Sequence, residues 1–216
     1  MNDQQKVGGV SALIAAATWV FGMVLLFTVL APFATGDVDP GFLADNRAII
    51  YVWNTIIYLV FGVFLVILLL ALNERLKAGS PAMVQTATAF GLIWAAVVFA
   101  SGMVFNIGME TVIDLHGKDP AQAESVWVAV NSVHLGLGGG NELVGALWIL
   151  LLSWAALRAG GLPRVLNYLG VVISVAGLLT LVPALELVGV IFGLGSIVWF
   201  IWVGIVMLRG NPSAAA

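Results

Sequence analysis

The sequence predicts an all-α polytopic membrane protein, a six-transmembrane-helix bundle, and three observations carry that expectation. Hydrophobic residues make up 62% of the chain and charged residues only 9%, with a mean hydropathy of +1.10; soluble domains carry roughly 25% charged residues. Apolar runs of about 20 residues, the length that crosses a ~30 Å hydrocarbon core as a helix, recur throughout and leave no room for a separate soluble domain. Clusters of Gly, Pro and Asp separate those runs, as breaks between antiparallel helices require. A single transmembrane domain over residues 1–216 is expected.

The spans read as approximately 7–33, 48–72, 82–107, 126–157, 165–185 and 187–208. The first follows Lys6 and, although "APFATG" offers small residues, its apolar stretch far exceeds the 7 to 15 residues of a signal-peptide core, so it is a retained helix. The turn "GDVDPGF" from Gly36 precedes the second span, and "KAGSPAM" from Lys77 precedes the third. The fourth would be nearly 50 Å long as one helix, too long for a plain span, so it either protrudes or breaks at Gly138–Gly140. "RAGGLPR" from Arg158 leads into the fifth, and "LVPALE" leaves so little connection to the sixth that the last two spans form a tight hairpin.

Positive residues are retained on the cytoplasmic side of short loops. With the N-terminus inside, cytoplasmic segments hold Lys6, Arg75, Lys77, Arg158, Arg164 and Arg209, against Arg47 and Lys118 outside. The orientation is therefore N-in/C-in, with acidic outer loops carrying Asp37, Asp39, Asp45, Glu110, Asp114, Asp119 and Glu124.

Composition also excludes functions. The net charge of −3 and the scattered cations give nucleic acid no electrostatic basis for binding. With no cysteine there are no disulfides, thiolate nucleophiles or iron–sulfur ligands. His116 and His134 alone cannot supply a three-His metal centre or two membrane-buried haem ligands, so no cofactor is expected short of a haem shared across a dimer.

The polar residues of the fourth span are the candidate site. In "VNSVHLGLGGGNELVGALW", Val130 to Trp148, a regular helix at ~100° per residue gathers Asn131, His134, Asn141 and Glu142 with Gly138 and Gly145 into one stripe. An unpaired carboxylate facing lipid costs about 2.5 to 3.5 kcal/mol at mid-membrane, so the stripe should face the bundle interior. Counted from Arg158, Glu142 lies about 24 Å up and His134 about 36 Å up, at the outer headgroups. Asn54, Arg47, Asn106, Glu110 and Glu186 fall in the same outer layer, whereas the inner part of spans two to five carries almost no ionisable group. This predicts an outward-facing polar pocket, closed below, centred on Glu142, with Asn141, Asn54, Glu186, Arg47, Asn131 and His134 as candidate ligand-binding residues. The alternative for Glu142 is structural, a carboxylate held neutral or paired with Arg47 that locks helices two and four together.

Other motifs weigh less. His134 and Glu142 are eight residues apart, about 12 Å on a straight helix, so the metal set Glu110, His134, Glu142 and Glu186 needs a break at the glycines. "GLGGG" has no preceding strand and reads as helix packing or a break, not a phosphate loop. "GVIFG" from Gly189 is a small-residue face suited to packing within the bundle or to a homodimer. Tyr51, Trp53, Trp127, Trp154 and Tyr168, near span ends, read as interfacial belts, and His116 as a solvated loop residue. No internal repeat supports an inverted-repeat transporter.

The C-terminal third, Leu137 to Gly210, with "GGNE", "LPRVLNYLG" and "FGLGSIVWFIWVGIVML", resembles a bacterial and archaeal family of small multi-span membrane proteins known only as a domain of unknown function. The resemblance implies a prokaryotic cytoplasmic (inner) membrane and supplies no activity. The leading functional expectation is a non-enzymatic membrane protein that binds a small polar or cationic ligand or a lipid head group, or partners another membrane protein. A small-solute or ion transporter and a metal-assisted membrane hydrolase are the alternatives.

Overall fold

The computed structural model describes residues 3–139 and 142–209, and every described element is helical. Helix α1 runs Asp3–Leu26, α2 Ala31–Thr35, α3 Pro40–Asp45 and α4 Arg47–Asn54. A π-helical turn, Thr55–Val60, joins α4 directly to α5, Phe61–Leu76. Next come α6, Pro81–His116, and α7, Pro120–His134, the latter running into a second π turn, Leu135–Gly139. The chain ends with α8, Leu143–Ala159, α9, Arg164–Leu179, a 3-10 turn at Pro183–Val188, and α10, Gly189–Arg209.

Among the described residues, five helical stretches are long and apolar enough to cross a membrane: Asp3–Leu26, Arg47–Leu76, Pro81–His116, Pro120–Ala159 and Gly189–Arg209. The fifth expected span, 165–185, is instead the 16-residue α9, about 24 Å long, because the helix stops at Thr180 and the chain tightens through Pro183. The first expected span also stops early, at Leu26, and a turn separates it from α2. In the other direction α6 continues nine residues past its expected end, so Glu110, Asp114 and His116 stand on a helix.

Local chemistry sets these boundaries. Asp39 and Asp119 each precede a proline at the first helical position, and their carboxylates accept from Phe42 N–H (2.7 Å) and Gln122 N–H (3.0 Å). Each thereby satisfies one of the amides a helix start leaves unpaired. At Gly138 the backbone takes φ 128° and ψ 10°, which only glycine adopts without strain, and the fourth expected span breaks there. The regular helix on which a stripe from Asn131 to Glu142 is drawn is therefore interrupted at Gly138.

The chain divides into two compact units. One comprises Met1–Ala17, Val63–Ala96 and Asn141–Ala216, and the other Thr18–Gly62 and Val97–Gly140. In the first, Trp148, Trp199, Phe192 and Phe200 are fully buried, with ring centroids 5.5 Å apart for Trp148–Trp199. Arg75 ties loop to helix there, donating to Gly161 O at 2.9 Å and to Gln5 Oε1 at 3.0 Å.

The second unit has an aromatic centre. Phe33 stands 5.4 to 6.5 Å from the rings of Trp53, Phe105, Phe42 and Trp127. Leu30, Leu43, Ile50, Met109 and Val112 close around it. Trp53 and Trp127, expected in an interfacial belt, are instead core residues, 7% and 5% exposed. Their indole N–H groups donate to Gly22 O (3.1 Å) and Val38 O (3.0 Å), which removes the polar reason for an interfacial position. Tyr51, Trp154 and Tyr168 are exposed.

Candidate functional site

Two π turns bracket the most highly bonded polar cluster of the second unit. Such turns often mark functional positions in a helix. Tyr58 lies within Thr55–Val60, and His134 immediately precedes Leu135–Gly139. Ser101 Oγ of α6 is 2.9 Å from His134 O and 2.8 Å from His134 Nδ1, and Tyr58 Oη is 3.3 Å from His134 Nε2. One proton arrangement satisfies all these contacts. The Ser101 hydroxyl donates to the His134 carbonyl, Nδ1–H donates to Ser101 Oγ, and Nε2 accepts from the Tyr58 hydroxyl.

Phe105 and Tyr58 flank the imidazole at 4.8 and 5.2 Å between ring centroids. His134 is 5% exposed, buried among protein side chains. It does form hydrogen bonds as expected, but with side chains inside the protein. Neither Ser101 nor Tyr58 carried a sequence signal. The nearest to one is the spacing of Ser101, Phe105, Met109 and Val112, which puts them on one face of α6.

A second cluster lies in the same unit. The amide nitrogen of Asn54, fully buried, donates to Gly102 O and to Asn106 Oδ1, both at 2.9 Å. Arg47 grips Glu110 with two nitrogens, Nε to Oε1 at 2.9 Å and Nη2 to Oε2. The structural pairing considered for Glu142 thus belongs to Glu110, because α6 continues as a helix far enough to bring that carboxylate opposite Arg47. With side chains 59% and 33% exposed, this pair contributes at most about 1 kcal/mol.

Glu142 belongs to the other unit, at the start of α8. It is half-buried, and its backbone N–H points to Thr180 Oγ1 at 3.4 Å. The Thr180 hydroxyl in turn donates to Gly177 O at 2.7 Å. Among the described residues, the Glu142 carboxylate has no hydrogen-bond or ion-pair partner. Asn131 is half-buried on α7. Asn141 and the side chain of Glu186 lie outside what is described.

Of the candidate residues, the structure therefore joins Arg47 to Glu110 and Asn54 to Asn106, and it surrounds His134 with residues not singled out in the sequence. Among the described residues no three His, Asp or Glu side chains are grouped so as to hold a metal ion. Glu110 and His134 from the possible metal set are already engaged elsewhere. Compared with protein-family models, curated proteins and solved structures, the chain matches none.

Proposed function

We propose that this is a six-span, N-in/C-in protein of a prokaryotic cytoplasmic membrane, related to the family its C-terminal third resembles. Its function in this reading is non-enzymatic: Glu142 holds an ammonium-type cation, free or on a lipid head group, at the outer end of α8. One observation carries the reading. Arg47, Glu110, Asn54, Asn106 and His134 are engaged with protein partners, whereas the Glu142 carboxylate has none among the described residues. An ionisable group within a membrane span is a binding-site hypothesis by default, and acidic outer loops raise the local cation concentration.

Glu142→Gln keeps the size of the side chain and removes the charge. Wild-type protein in nanodiscs should melt higher when phosphatidylethanolamine replaces phosphatidylglycerol, or when free ethanolamine is added, and the variant should lose that gain. Dependence on the lipid alone identifies a head-group site, and dependence on ethanolamine alone a soluble ligand. Equal responses of the two proteins to both probes would overturn the reading.

The topology has its own test, made simple by a chain with no native cysteine. In intact cells an impermeant thiol reagent should label Gly117→Cys and leave Ser80→Cys untouched. The reverse pattern would invert the orientation, and labelling of both would remove the span between them.

A further inference from the structure

In the first unit, α8, α9 and α10 pack level by level, and the contacts made at glycines give the register. A Cβ at Gly177 would stand 2.6 Å from Phe192 and 2.8 Å from Ala146. One level toward Arg164, a Cβ at Gly195 would collide with Ile173. A further level along, a Cβ at Gly170 would collide with Ser153 Oγ and stand 3.0 Å from Trp199 Nε1. Three helices thus bring a hydroxyl and an indole N–H against the same glycine.

Ser153 Oγ and Trp199 Nε1 are fully buried and have no hydrogen-bond partner. The same holds for Ser196 Oγ, one turn from Trp199 on α10, and for Asn167 Oδ1, one turn from Gly170 on α9, in residues no more than 1% exposed. Ser174, also on this face of α9, donates to Gly170 O and retains lone pairs. A buried polar atom left unpaired loses its hydration without compensation, and here four such atoms belong to one three-helix module. The set is chemically matched to one ligand. Asn167 Oδ1 only accepts, Trp199 Nε1 only donates and the two serines do both, so a neutral molecule that donates and accepts satisfies all of them.

We propose that Asn167, Ser153, Trp199 and Ser196 line an internal water-binding track in the half of this unit nearer Arg158, Arg164 and Arg209. Buried waters typically make about three hydrogen bonds to such groups. The track is neutral, so a count of ionisable residues does not detect it. Packing of Phe192 and Ala146 against Gly177 closes it at one end, leaving it blind and separate from Thr180 and Glu142.

The test uses full-length protein in nanodiscs with isotope-labelled tryptophan. The Trp199 indole proton, identified by its disappearance in Trp199→Phe, should show a direct cross-relaxation peak with water. That peak should be lost when Ser153→Ala and Ser196→Ala are combined. Should Trp199→Phe fail to fold, the shift that Ser153→Ala causes identifies the same signal. A wild-type spectrum without the water peak overturns the proposal, as does a peak undiminished in the double serine variant.

Discussion

Replacing His134 by alanine is expected to lower the stability of the protein in detergent micelles by about 2 to 4 kcal/mol. Two effects combine. The imidazole fills space between Phe105 and Tyr58, and its removal leaves a cavity in a centre where surrounding rings stand 4.8 and 5.2 Å away. It also takes the bonds of Ser101 and Tyr58, so both hydroxyls lose a partner. Of these bonds Tyr58→Phe removes the longest, at 3.3 Å, and should cost less than His134→Ala. A thermal or denaturant melt that ranks Tyr58→Phe as the more damaging change, or leaves His134→Ala level with wild type, would show that the network is not the fastener described here.

Gly170→Ala is expected to destabilise by about 1 to 3 kcal/mol, the usual cost of forcing a methyl group against close-packed side chains. The neighbours are a short hydroxymethyl group and a rigid indole on packed helices, Ser153 on α8 and Trp199 on α10, and neither is a flexible end that can swing aside. Ser153→Ala removes the atom in closest conflict and leaves its Cβ 3.2 Å away, so the double variant should recover a substantial part of the loss. Such a coupling, measured by a double-mutant cycle, is specific to atoms in contact. If the two changes simply added, α8 and α9 would not meet at this level.

Both expectations rest on features for which the sequence offered only partial signals. Gly138 to Gly140 stood out as a breaking point because a span of nearly 50 Å does not fit the bilayer, and Gly138 does break the helix. The ladder of small residues Gly170, Ser174 and Gly177 on α9 was not singled out, since its spacing is equally that of lipid-facing glycine or of packing against either neighbour. Counting along a single straight helix gives His134 a distance from Arg158 but not its partners Ser101 and Tyr58. That count assigns distance along an axis and contains no information about which neighbouring helix rises beside it.

Arg47 shows the same division. Its charge marked the outer layer, and Glu110 was recognised in that layer, but the pairing turned on α6 continuing nine residues beyond its expected end. Trp53 and Trp127 lay near expected span ends, yet the carbonyls of Gly22 and Val38 drew their indole nitrogens into the core.

By itself the sequence determined that this is a helical membrane protein, which Gly, Pro and Asp clusters interrupt its helices, and which few polar residues have to be accounted for. Those properties follow from local quantities: hydropathy summed over the length of a span, and the backbone preferences of Gly, Pro and Asp. Only the tertiary structure decided which polar groups satisfy one another, that α9 is short, and that Ser101 and Tyr58 belong with His134. Hydrogen-bond partners in an apolar interior are chosen by distances of about 3 Å between separate helices, and such distances depend on register and rotation, which a pattern along one chain does not encode.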